Sequence, residues 1–205
     1  MRKSGLGAAG LAVVLCCTVF MEGCSTAWLG EAEEIVAALI PAAANILTLV
    51  ATLEGKGVSA GDLATIQSAG TQAGADLQLI QSLMAAYEKA DPSAQPGILN
   101  QIATAIGTVE SNLTNLLPAL HIKDATTQAK ITAVVGIVLA EVQSLAGMIP
   151  LVKNQLSVVR GQWTDKPLTA KEFVESYNAT MTAKTGNAAL DRATAGLKIH
   201  RHRKG

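Results

Sequence analysis

Beyond residue 34 the chain repeats its apolar residues at steps of three and four, in four separate runs. The first is Ile35, Leu39, Ala42, Ile46, Leu49 and Leu53, and the second is Leu63, Ile66, Gly70, Ala73, Leu77, Ile80, Met84 and Tyr87. The third is Leu99, Ile102, Ile106, Val109, Leu113, Leu116 and Leu120. The fourth is Ile131, Val135, Val138, Val142, Leu145, Ile149, Val152, Leu156 and Val159. A mean step of about 3.5 places each set on one face of an α-helix, the seam spacing of coiled coils and bundles. The strict alternation of a half-buried strand is absent. The pattern predicts an all-α protein.

Polar breaks separate the runs at Gly55-Lys56-Gly57, at 91–97 with Pro92 and Pro96, and at 121–124. Connections this short return each helix along its predecessor, which predicts an antiparallel up-down-up-down four-helix bundle. Glu31, Glu33 and Glu34 are expected in the first turn of helix one, where negative charge suits the helix dipole. Ser59 with Asp62 predicts a cap for the second helix, and Asp124 or Thr126 one for the fourth. Pro118 is expected to end or fray helix three. Pro41 and Pro150 interrupt apolar runs and predict kinks, or in the case of Pro150 the end of helix four with a separate turn over 151–160. Gly70, Gly74, Gly107, Gly136 and Gly147 suggest close helix approach, each lowering helix propensity by about 1 kcal/mol.

Past 161–167 the pattern changes. Thr169 and Glu172 have capping-box spacing, and Phe173, Val174, Tyr177 and Met181 form one apolar face. This predicts a short helix over 170–184, docked on the bundle, and a weak helical turn or two over 188–197. The segment 198–204, with Lys198, His200, Arg201, His202, Arg203 and Lys204, is expected to be a basic disordered tail that can meet an anionic surface. The organisation expected is therefore 1–23 as a leader, 24–160 as a bundle and 161–205 as a C-terminal helix with its tail.

Composition agrees with close-packed helices. Of 205 residues 49% are hydrophobic, yet Trp, Tyr and Phe number only two each, leaving Ala, Leu, Ile and Val to build the core. Net charge is zero, but the signs are segregated: 25–152 holds four Lys/Arg against eleven Asp/Glu, and 153–205 holds ten against four. Two runs approach membrane-spanning length: 35–53 carries no charge, and 131–152 carries only Glu141. Pro41 and Asn45 in the first, and Glu141, Gln143 and Ser144 in the second, favour core helices over inserted ones.

All three cysteines, Cys16, Cys17 and Cys24, fall in the first 24 residues. Arg2 and Lys3 precede an uncharged run from Gly5 to Met21, and Met21-Glu22-Gly23-Cys24 follows. A basic start, an apolar run and small residues before a cut describe a secretory signal. The segment resembles the signal of the bacterial lipoprotein class: Gly23 and Cys24 match its pattern, Met21 is tolerated, and Glu22 departs from it. The resemblance implies lipid attachment at Cys24, a palmitate-type acyl anchor, and location in the bacterial cell envelope on the inner or outer membrane. Several acyl chains give stable anchoring. Trp28 would then lie at headgroup level, or else cap the end of the bundle. With Cys24 processed, no thiol remains for disulfides, metal or nucleophilic chemistry.

Catalytic patterns are missing. No phosphate loop, zinc-ligand spacing, His-Glu-x-x-His or Gly-x-Ser-x-Gly motif occurs, and no inward Glu-x-x-His pair suits a di-metal site. His121 falls in a connection, and Glu33/Glu34 and Glu172/Glu175 fall at helix starts, where capping accounts for them. No enzyme, cofactor or metal is expected, and nucleic acid is not expected as a partner of an exported chain. The function expected is binding or structural, at the membrane. The alternatives are a pore-forming or membrane-remodelling protein that inserts 35–53 and 131–152, and an apolar-ligand carrier with a cavity between its helices.

Overall fold

The computed structural model describes residues 27–54, 58–119, 122–150 and 168–200. Six helices make up almost all of this: α1 (Ala27–Thr52), α2 (Ala60–Lys89), α3 (Gln95–Ala119), α4 (Ala125–Met148), α5 (Ala170–Thr182) and α6 (Ala188–Ala195). No strand occurs among the described residues, so the all-α class holds. Every described member of the four apolar runs is buried, from Ile35 and Leu39 through Leu77, Ile106 and Val138 to Ile149. Leu120, Val152, Leu156 and Val159 lie outside the described residues.

The long helices pack α1 on α2, α2 on α3, α3 on α4, and α4 back on α1, a helical bundle around one hydrophobic cluster. Fully burying a Leu, Ile or Val side chain contributes roughly 1.5–3 kcal/mol, so this cluster dominates the stability of the fold. Local signals set the helix ends. Ser59 caps α2, its Oγ accepting from the Asp62 amide (3.1 Å) and donating to Asp62 Oδ2 (2.7 Å). Asp124 caps α4 through the Thr127 amide (2.7 Å), and Thr127, through its side chain and then its amide, holds the Asp124 carboxyl below the usual range.

Two expectations need correction, on the acidic residues of α1 and on the glycines. Helix α1 begins at Ala27, so Glu31, Glu33 and Glu34 lie beyond its first turn. Pro150 takes the second of its two expected roles: α4 ends at Met148, with Ile149 as its C-cap, because the residue before a proline is driven out of helical geometry. Pro41 lies inside α1, and Pro118 lies in the last turn of α3, where helix three was expected to end or fray. Of the five glycines read as close approaches, Gly70 alone fits: a Cβ there would meet Leu47 of α1, with Cγ at 2.9 Å, while Gly74, Gly107, Gly136 and Gly147 face open space.

Residues 168–200 close the groove between α1 and α4. Thr169 and Glu172 form the predicted capping box, Thr169 N–H donating to Glu172 Oε2 (2.9 Å) and Glu172 N–H to Thr169 Oγ1 (3.2 Å). Phe173, Tyr177 and Met181 are fully buried beneath α5. Gly186, at φ +81°, makes the turn into α6, and Asn187 caps that helix through the amides of Ala189 and Leu190. The tail expectation fails in part. Ile199 is buried, and Asn178 brackets it, Nδ2 donating to its carbonyl and Oδ1 accepting from its amide, both at 2.9 Å. The remainder of that segment, Arg201 to Lys204 with His202, lies outside the described residues.

Candidate functional site

Chemically distinctive groups gather where α5 seats on α1 and α4. Helix α4 carries two charged residues, Lys130 and Glu141, and both are buried. Their spacing explains it: Lys130, Val134, Val138, Glu141 and Leu145 recur at three and four, so both charges share the apolar face.

Lys130 has an evident partner. Its Nζ donates to the carbonyls of Thr180, Met181 (3.3 Å) and Ala183 (3.0 Å), the orphan acceptors at the C-terminus of α5. Desolvation lowers its pKa, and Asp191 opposes the shift. Asp191 is itself held low by the backbone amide and hydroxyl of Thr185, each at 2.9 Å. A shallow hollow beside these groups is lined by Lys184, Asp191, Thr194 and Lys198.

Glu141 is different. It is 0% exposed, and neither carboxyl oxygen has a hydrogen-bond partner. Burial, then the charges of Glu31 on α1 and Glu172 on α5, push its carboxyl up to about 8. At neutral pH it is mainly a protonated acid inside the core. The two acidic neighbours are fixed by α5: Glu31 Oε1 accepts the Ala170 amide (3.0 Å), and Glu172 closes the capping box. Next to them Ser144 Oγ accepts the Leu168 amide (3.1 Å). Farther along the groove, Asn45 of α1 donates to the Leu197 carbonyl (3.0 Å), and burial pushes the Tyr177 phenol up, with Asn45 opposing.

Such a site holds or releases one proton and cannot meet a solute while α5 is in place. No group of three or more His, Cys, Asp or Glu suited to a metal ion occurs among the described residues.

The expected site residue, Cys24, lies outside the described residues, as do Met21 to Gly23, His121 and the leader 1–23. Trp28 is half-buried and packs on Tyr87, ring centroids 5.6 Å apart at 60°, which matches a cap at the end of the bundle. Glu33 and Glu34 are partly buried, and the surface pair at the start of α5 is Lys171 with Glu175, 3.8 Å apart. His200 is exposed. Glu141, read from the sequence only as an obstacle to membrane insertion, is the residue that reading missed. Its signal was a lone acid in register with Val138 and Leu145. The chain matches no protein-family model, no curated protein and no solved structure.

Proposed function

We propose that this chain is a lipoprotein of the bacterial cell envelope, anchored through Cys24, whose body is an up-down-up-down four-helix bundle with a binding or structural role. The observation that carries this reading is the sequence Met21-Glu22-Gly23-Cys24 after an uncharged run, with helix already present at Ala27, three residues past Cys24. With so short a spacer, an anchored bundle rests against the bilayer at its Trp28 end. The basic residues of 198–204 offer a second, electrostatic contact to an anionic surface. Radiolabelled palmitate tests the anchor. Label is expected in the wild-type chain and not in Cys24→Ala, and equal labelling of both sinks the reading.

A second reading is favoured by one observation. The segments Trp28–Thr52 and Ala125–Met148 are each long and apolar enough to cross a membrane, and they pack against one another. In a pore-forming protein these two helices would insert together. Chain beginning after Ser25, mixed with liposomes and extracted with carbonate, separates the two: a bundle that depends on its Cys24 anchor is released, an inserted pair stays with lipid.

A further inference from the structure

Glu141 sits where three elements meet, and among the described residues the charged groups acting on it are both carboxylates: Glu31 from α1 and Glu172 from α5. From α3, Glu110 is taken up by Gln143 Nε2 (3.0 Å), two positions along α4. The other charge on α4, Lys130, is engaged at the far end of α5. The contacts of Leu168 with Ser144, and of Ala183 with Lys130, show that α5 runs back along α4 and covers Glu141. A fully buried acid without a hydrogen-bond partner is costly to keep in any state, and far more so when ionised between two like charges.

We infer that residues 168–200 are a proton-controlled strap, docked in the groove between α1 and α4 while Glu141 holds its proton, and lifted when that carboxyl ionises against Glu31 and Glu172. The proton passes to solvent. Lifting the strap withdraws Phe173, Tyr177 and Met181 and uncovers the apolar groove beneath them. The sign follows from the carboxyl values. Docked, Glu141 titrates near 8, and open to water it returns to about 4.5. Docking is therefore strongest below the lower value, weakens about tenfold per pH unit between the two, and levels off above the upper one.

Native-state hydrogen exchange on the full chain, from pH 5 to 9 and at several sub-denaturing urea concentrations, tests this. Protection factors of the 170–199 amides, corrected for intrinsic rates, are expected to fall about tenfold per pH unit up to pH 8 and then flatten. They should respond only weakly to urea, because the opening is local, while α2 and α3 amides respond steeply. Glu141→Gln should abolish the pH slope. Glu31→Gln, which keeps an acceptor for the Ala170 amide, should make the curve flatten at a lower pH, and it serves if Glu141→Gln does not fold. Strap protection independent of pH, a slope that survives in Glu141→Gln or is unmoved in Glu31→Gln, or a strap urea slope equal to that of α2 and α3 would each overturn the strap.

Discussion

At the scale of single residues, Glu141 and Gly70 make opposite demands on their surroundings. Glu141 is a polar group in an apolar place, so replacing it by an apolar side chain removes a penalty. Near pH 7.5 Glu141→Leu is expected to raise the free energy of unfolding by roughly 3 kcal/mol, an advantage that shrinks toward pH 4, below the ordinary carboxylate value, where the acid is protonated in both states. Urea titration at the two pH values checks this. Gly70 is a close approach: an added methyl collides with Leu47 on α1. Gly70→Ala is expected to destabilise by about 1 kcal/mol, overpacking exceeding the helix-propensity gain, while Gly107→Ala and Gly136→Ala, facing open space, stabilise by about 0.5–1 kcal/mol each. Thermal melts of the three variants decide it. The glycines look alike in sequence, and only the facing helix tells them apart.

At the scale of elements, α5 is a short helix held at both ends. Its N-terminus has the Thr169–Glu172 box and Glu31, and its C-terminus has Lys130. Thr169→Ala is expected to cost about 1 kcal/mol, and Lys130→Met about 1.5–3 kcal/mol, since the lysine makes charged hydrogen bonds to several carbonyls. Both losses should appear first as faster exchange in 170–182. The capping box was legible because it is a contact within four residues. The Lys130 cap spans 50 positions, Lys130 to Thr180, and no local spacing announces it. Likewise the Ala188–Ala195 helix was anticipated, but the docking of Ile199 was not, because the bracket comes from Asn178 on another element.

At the scale of the whole molecule, the pH dependence of folding should be unusual. Most domains lose stability on mild acidification as paired carboxylates are protonated. Here Glu141 works the other way: its value is about 8 folded against 4.5 unfolded, so its contribution is complete below 4.5 and is lost as pH rises to 8. That contribution is on the order of 4 kcal/mol. Asp124 and Asp191, both held low, lose their stabilising contacts only as pH falls below the ordinary carboxylate value. Calorimetry is therefore expected to find the highest Tm near pH 4.5–5, with a decline toward 8 that Glu141→Gln lacks. Local and helical-period information was enough to place the six helices, their described core residues and most caps, because hydrophobic spacing and capping act within a few residues. Which glycine touches a neighbour, what Lys130 binds, and that Glu141 is enclosed by two other acids were decided only by tertiary structure. Those properties depend on residues brought together from distant helices, and burial and charge repulsion act through space rather than along the chain.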